Sequence, residues 1–345
     1  MSENTTKKTD VNELGEFGLI EHLTKDFTNK RKSTVKGIGD DAAVLQTGDK
    51  YTVISTDMLV EGIHFDMAYT PLKHLGYKSV VVNVSDICAM NATAEQITVS
   101  IAISNRFSVE SLDELYAGIK AACNFYNVDL IGGDTTSSNK GLIISITAIG
   151  TVAPEKVVYR SGANEGDLLC VTGNLGAAYL GLQILEREKQ IFQSSPGVQP
   201  DLENQAYLIG RQLKPGARTD MIEFFEKNKL VPTSMIDISD GLASEIFHLC
   251  KQSNVGAFVE ESGVPMHPDA EEMALKFKLD PVTCALSGGE DYELLFTIDP
   301  NDIEKVKYLP DIYIMGEMVN KEQGINLHTK GGNIHPIKAQ GWKHF

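Results

Sequence analysis

Apolar positions along the chain recur at two different spacings, and the alternation between them maps its elements. Leu14, Phe17, Ile20, Leu23 and Phe27 fall at helical spacing and predict a first amphipathic helix. Residues 42–57 read as two strands joined by Thr47-Gly48-Asp49-Lys50. Thr70-Pro71 opens a helix running to Met90, with Thr as cap and Pro in the first turn, although Val80, Val81, Val82 and Val84 would also suit a strand. Gln96–Ser104 is a strand, and Ser111 with Glu114 has capping-box spacing for a helix reaching Phe125. Val128–Ile131 and Leu142–Val152 are further strands.

A polar joint at Arg160-Ser161-Gly162-Ala163 opens a second unit. Its order is a strand over Asp167–Thr172, a helix over Ala177–Arg187, a loop over Gln193–Gln199 and helices on both sides of Lys214-Pro215-Gly216. A short strand, Met235–Asp237, feeds a helix starting at Asp240 or just after it, and Gly256–Glu260, Tyr292–Ile298, Ile312–Met315 and Ile325–Leu327 are strands. This order predicts an α/β (α+β) chain: a flexible segment over 1–12, a first domain over 13–155 and a second α/β domain over 156–345.

Aspartates stand where these apolar runs give way. Asp40 and Asp41 sit in the loop Gly37-Ile38-Gly39-Asp40-Asp41, and Asp57 ends the run from Tyr51 to Thr56. Asp86 lies in Asn83-Val84-Ser85-Asp86, Asp134 closes Leu130-Ile131-Gly132-Gly133-Asp134, and Asp237 and Asp240 frame Ile238-Ser239. Asp and Gly are poor strand formers, so such a run puts a short acid at a rim where backbone can approach a ligand. An acidic rim repels itself unless cations fill it, and hard oxygen ligands suit Mg²⁺.

Each aspartate alone has an ordinary alternative as a turn or cap. Asp240, before Gly-Leu-Ala-Ser-Glu, is a natural N-cap, and Asp40 is a solvated or loop-bonding neighbour of Asp41. His64 reads equally as a packed rim histidine, and Arg160 as the partner of a surface acid. Only their joint occurrence favours a metal site.

Composition narrows the chemistry. A formal net charge of −16 leaves no basic stripe for nucleic acid, yet an acidic site takes a triphosphate when Mg²⁺ bridges the two sets of oxygens. The five cysteines are scattered and odd in number, as expected for reduced core residues of a cytoplasmic protein, and no run is long enough for a membrane span. No Walker loop, protein-kinase motif set or Gly-x-Ser-x-Gly elbow is present. Metal-assisted phosphate chemistry remains.

Taken together, Gly37–Ala43, Ile54–Phe65, Asn83–Ile87, Gly132–Thr136, Asp237–Leu242, Leu286–Leu294 and Gly341-Trp342-Lys343-His344-Phe345 resemble the thiamine-monophosphate kinase family, in consistent order from Gly15 to Phe345. The resemblance implies the fold of aminoimidazole ribonucleotide synthetase, with a first half that binds ATP and Mg²⁺ and forms a homodimer through its sheet. It implies ATP and thiamine monophosphate as substrates, thiamine diphosphate as product and several Mg²⁺ ions as cofactors. By the same resemblance Asp41, Ser55, Thr56, Asp57, Asp86, Asp134, Asp237 and Asp240 occupy magnesium positions, with Asp57, Asp86 and Asp134 central to catalysis. Gly133, Asp134, Arg160, Ser239 and Tyr116 contact the nucleotide, and His64, Glu290 and Trp342 meet the thiamine phosphate.

Two alternatives stand beside it: another ATP-using enzyme of the same fold, and a magnesium-nucleotide sensor without turnover. A selenophosphate synthetase is expected to carry a reactive Cys near its amino terminus, whereas the first here is Cys88; a hydrogenase-maturation relative is expected to end in Cys, where this chain has Phe345.

Overall fold

The computed structural model describes residues 11–338, so Trp342 and the rest of the carboxyl-terminal motif, like residues 1–10, lie outside the described residues. The first half runs α1 (Gly15–Thr24), β1 (Thr34–Lys36), β2 (Ala43–Thr47), β3 (Lys50–Val60), α2 (Leu72–Ala89), β4 (Thr93–Ile103), α3 (Val109–Tyr126), β5 (Asp129–Ser137) and β6 (Ile143–Val152). Its strands form one sheet in the order β1-β2-β3-β6-β4-β5, antiparallel except for the parallel pair β4–β5.

The second half continues with β7 (Leu168–Thr172), α4 (Ala177–Ser194), α5 (Ala206–Leu213), α6 (Thr219–Lys227), β8 (Ser234–Asp237) and α7 (Leu242–Ser253). β9 (Gly256–Glu260), α8 (Pro268–Lys276), α9 (Pro281–Ser287), β10 (Leu294–Ile298), β11 (Ile312–Val319), β12 (Ile325–His328) and β13 (Ile334–Pro336) follow. These strands build a seven-stranded sheet in the order β13-β12-β9-β11-β7-β10-β8. The architecture is the mixed α/β one expected.

The valine-rich run resolves as α2, and its burial explains the ambiguity. Every residue from Leu75 to Ala89 except Asp86 is buried, so this helix lies inside the molecule with no solvent face to leave a helical period. α2 lies between the sheets, so one apolar core continues from Val80, Val84 and Ile87 to Phe225, Met235 and Phe296 of the second half. α3 packs closely on α2 because both carry glycine at the crossing. A Cβ on Gly76 would stand 2.0 Å from the Leu115 carbonyl oxygen, and one on Gly118 would stand 1.9 Å from that of Lys73.

The other face of the six-stranded sheet has no such cover. Along β6, buried Ile144, Ile146 and Ala148 alternate with half-exposed Ile143, Ser145, Thr147 and Ile149, and all nine residues of edge strand β5 are exposed.

Several local expectations shift. Pro71, not Thr70, immediately precedes α2, and no side chain caps it. Ser108 caps α3 by accepting from the Ser111 N–H, which places the cap three residues before the expected one. Asp57 lies inside β3, which runs on to Val60, and Asp134 lies inside β5; in both, strand pairing overrides the low propensity of the acid. α4 extends to Ser194 rather than Arg187. Ile20 and Leu23 of α1, like Phe27 beyond it, are exposed rather than packed.

Candidate active site

The Gly37–Asp41 loop, β3 with the turn after it, the far end of α2, one side of α4, the β8–α7 loop and the chain from Lys278 through α9 to Tyr292 all line one open cavity of about 1690 Å³. Three acids meet at one end. Asp41, Asp86 and Asp237 each offer a carboxylate oxygen, and these oxygens lie within 4.8 Å of one another. They come from a glycine loop, the last turns of a buried helix and the end of a buried strand, so the fold rather than local sequence brings them together.

Their neighbours hold them in place. Ser55 of β3 donates to Asp86, and Ser85 donates to Asp237 at 2.5 Å. The Arg160 guanidinium donates to Asp41 at 2.7 Å, while its backbone N–H donates to Asp40 at 3.0 Å. Asp40 is thus the loop-bonding member of its pair, and it is buried rather than solvated. Asp57 shares the cavity, its backbone N–H donating to Asn83 of α2 at 3.0 Å.

Crowding shifts these acids upward. Burial raises the Asp41 carboxyl against the pull of Arg160. Burial, then the charges of Asp57, Asp237 and Asp41, pushes Asp86 well above the usual carboxylate range. Burial, with the Asp41 charge, lifts Asp237 to about 7. One oxygen of Asp41 is buried with no hydrogen-bond partner. A desolvated carboxylate cluster with an orphaned oxygen fits a hard divalent cation, whose charge would reverse each of these shifts.

Other parts of the cavity lining are differently built. His64 takes a hydrogen bond on Nδ1 from the Val60 N–H at 3.0 Å, so the neutral ring carries its hydrogen on Nε2. Glu290 sits in the left-handed region at φ 65°, its N–H bonded to the Ser239 carbonyl at 2.7 Å. Gly289 makes that approach possible, because a Cβ there would stand 2.4 Å from the same oxygen. Lys78 of α2 pairs with Glu290 at 2.7 Å, and Gln212 of α5 donates to its other oxygen at 2.6 Å. Tyr69 and Tyr179 line the cavity beyond, with Tyr69 donating to Glu186 at 2.7 Å.

The expected site residues divide into two groups. Asp41, Ser55, Asp57, His64, Asp86, Arg160, Asp237, Ser239, Asp240 and Glu290 all line this cavity. Thr56 also lines it, but its hydroxyl bonds Thr147 at 2.8 Å, on the sheet face opposite Ser55. Asp240 is not the cap of α7: Gly241 holds that position, and Glu245 accepts from the Asp240 N–H at 3.1 Å.

Gly133, Asp134 and Tyr116 do not line the cavity. The register places Asp57 opposite Ile146, Ile146 opposite Val99 and Val99 opposite Gly133, a separation of three strands or about 14 Å. Asp134 pairs with half-exposed Ser100 on the open face, whereas Ser55 and Asp57 share the α2 face. Tyr116 packs half-buried against the main core.

Lys78, Gln212 and Glu245 were not expected at the site. Lys78 had a signal, a cation just before the valine-rich run; Glu245 had one too, five residues after Asp240, whereas Gln212 had none, because its partner Glu290 lies far away in sequence.

Comparison with known proteins bears on this arrangement. The AIR synthase related protein, N-terminal domain, matches residues 39–152. The Aquifex aeolicus thiamine-monophosphate kinase is 33% identical over 97% of this chain and 99% of its own. The Bacillus subtilis enzyme is 33% identical over 85% of this chain and 86% of its own. The chain belongs to the thiamine-monophosphate kinase family. It is a kinase. The solved structure of AaThiL complexed with AMPPCP and TMP superposes with a TM-score of 0.82, at 32% identity over 99% of this chain and all of that one. A hydrogenase-maturation HypE structure, at 18% identity and a TM-score of 0.67, shares the fold alone. No described helix is long and apolar enough to cross a membrane.

Proposed function

We propose that the protein transfers the γ-phosphoryl group of ATP to thiamine monophosphate, giving ADP and thiamine diphosphate by direct in-line attack assisted by several Mg²⁺ ions. The observation that carries this reading is one cavity lined both by the Asp41–Asp86–Asp237 cluster and by His64 and Glu290. Its volume of about 1690 Å³ exceeds what a single small ligand fills, which leaves room for nucleotide and acceptor together. Kinship to enzymes named for this reaction, and to a structure holding an ATP analogue and TMP, supports it.

Asp41, Asp86 and Asp237 would hold Mg²⁺, with Ser55, Asp57 and Asp240 beside them. Bound there, the ions supply neutralisation of the polyphosphate and of charge developing on the transferred group. Arg160, anchored by Asp41, keeps N–H groups for nucleotide oxygens, and Ser239 lies beside the same end. His64 donates from Nε2 to the acceptor phosphate. That phosphate oxygen is already ionised near neutral pH, so its attack needs no general base.

A second copy of the chain completes the site. Gly133 and Asp134 lie on the free edge strand, on the open sheet face, beyond reach of Asp57 in the same chain. We place them in the partner's cavity within a homodimer joined through this sheet. Five free, reduced thiols support a cytoplasmic setting.

Incubation with ATP, Mg²⁺ and thiamine monophosphate, read by chromatography, tests the reaction. Absence of thiamine diphosphate at every Mg²⁺ concentration rejects it. A radiolabelled protein formed from γ-labelled ATP without acceptor would reject direct transfer.

A further inference from the structure

Lys78 is almost fully buried, at 3% exposure, on a helix buried over most of its length. Its position on α2 relates it to the metal end. Lys78, Val82 and Asp86 are spaced four residues apart and so share one face of the helix, and Val82 and Asp86 line the cavity. Eight residues of helix separate Lys78 from Asp86, a rise of about 12 Å. One rigid element therefore carries a metal-end acid and, further along the same face, the cation that meets Glu290.

The contacts around Glu290 form a closed set. Lys78 Nζ reaches Glu290 Oε1 at 2.7 Å and the Gln212 carbonyl at 3.2 Å, while Gln212 Nε2 reaches Glu290 Oε2 at 2.6 Å. Both carboxylate oxygens are thus held from behind, by α2 of the first half and α5 of the second. The Glu290 side chain keeps 26% of its surface open, on the cavity side. Its charge is already matched by a buried ammonium. A matched carboxylate is a poor counter-ion for a second cation, but its remaining lone pairs still accept directed hydrogen bonds.

We infer that Lys78 and Gln212 are positioning residues that turn Glu290 into a directed hydrogen-bond acceptor for the pyrimidine amine of the acceptor, rather than a counter-charge for its thiazolium. The amine carries the only N–H donors of thiamine monophosphate, so an aligned acceptor selects for it. A site built to accept a hydrogen bond rejects an analogue that cannot donate it, because the acceptor is left unpaired. This inference rests on the reading of Glu290 as an acceptor-facing group.

The test compares thiamine monophosphate with the analogue carrying hydrogen in place of the pyrimidine amine, which has no N–H to donate. It uses the unaltered protein, Lys78→Met, Gln212→Met, Glu290→Gln and the double variant Lys78→Met/Glu290→Gln. The unaltered protein is expected to prefer the amine by about tenfold or more in kcat/KM. Lys78→Met and Gln212→Met each raise the KM for thiamine monophosphate several-fold and shrink that preference, with the KM for ATP unchanged. The double variant is no worse than Glu290→Gln alone, since Lys78 acts through that carboxylate.

Equal use of both acceptors by the unaltered protein overturns the inference, as does full preference in Lys78→Met. If Lys78→Met gives no cooperative thermal transition, Gln212→Met decides by the same comparison. An unchanged acceptor KM in Glu290→Gln would instead overturn the underlying placement of Glu290. No turnover of thiamine monophosphate by any form would overturn the proposed reaction.

Discussion

At the scale of single residues, the acids divide by what their burial does. Asp57 lines the same cavity as the three clustered acids, and Asn keeps its size and shape, so Asp57→Asn is expected to fold and lose about a hundredfold or more in kcat. Circular dichroism and turnover at saturating Mg²⁺ check this; near-normal kcat would remove Asp57 from the machinery. Asp237 gives a pH dependence. Its folded carboxyl is lifted to about 7 from an ordinary 3.8, so the folded state binds the proton more tightly than the unfolded chain. Its contribution to stability is therefore fully present below pH 3.8 and is lost as pH rises through about 7. Asp41 and Asp86 shift in the same direction. Mg²⁺ competes with those protons, so thermal melts should show it raising Tm more at pH 8 than at pH 6. An equal shift at both pH values would mean that the cation binds elsewhere.

At the scale of elements, the entry to α7 shows what local pattern conveys and what it does not. Asp240 before Gly-Leu-Ala-Ser-Glu resembles a cap, yet Glu245 receives the Asp240 N–H, and burial holds the Glu245 carboxyl well above its usual range. Glu245→Gln should therefore keep its Tm, whereas Glu245→Ala should cost about 1–2 kcal/mol, measurable by denaturant melts. Asp240→Ala should leave stability nearly unchanged while altering the Mg²⁺ dependence. A large stability loss in Asp240→Ala would restore the capping role. Most strands and helices were legible because burial on one face leaves a period in the sequence, as along β6. α2 was ambiguous because burial on every side erases that period. The acids were legible as a set, since an apolar run giving way to Asp is a local signal, but their grouping was not. Asp134 carries the same signal as Asp237 and lies on another face of another sheet. Lys78 and Gln212 meet Glu290 only through tertiary packing, which no local spacing records.

At the scale of the whole molecule, the open face of the six-stranded sheet and the exposed edge strand β5 pose one question: whether Asp134 serves its own chain or a partner's. Exposed strand edges normally pair or are protected, and β5 exposes Leu130 and Ile131 at 44% and 57%. A homodimer joined there would carry two sites, each built from Asp57 of one copy and Asp134 of the other. Asp57→Asn and Asp134→Asn are each inactive in that arrangement, because every site lacks one acid. Mixing the two variants after dissociation and reassembly changes the count. A symmetric dimer assembled at random is mixed in half of all cases, and each mixed dimer holds one site with both acids altered and one with both intact. Turnover should therefore return to about a quarter of the unaltered level. If Asp134 instead served the cavity of its own chain, every site in every dimer would still lack one acid, and mixing would restore nothing. Ile131→Asp supplies the companion measurement, since a charge on the joining edge should give a monomer by sedimentation and abolish turnover while leaving the Asp41–Asp86–Asp237 cluster able to bind Mg²⁺. A monomer that kept full turnover would return the whole site to a single chain.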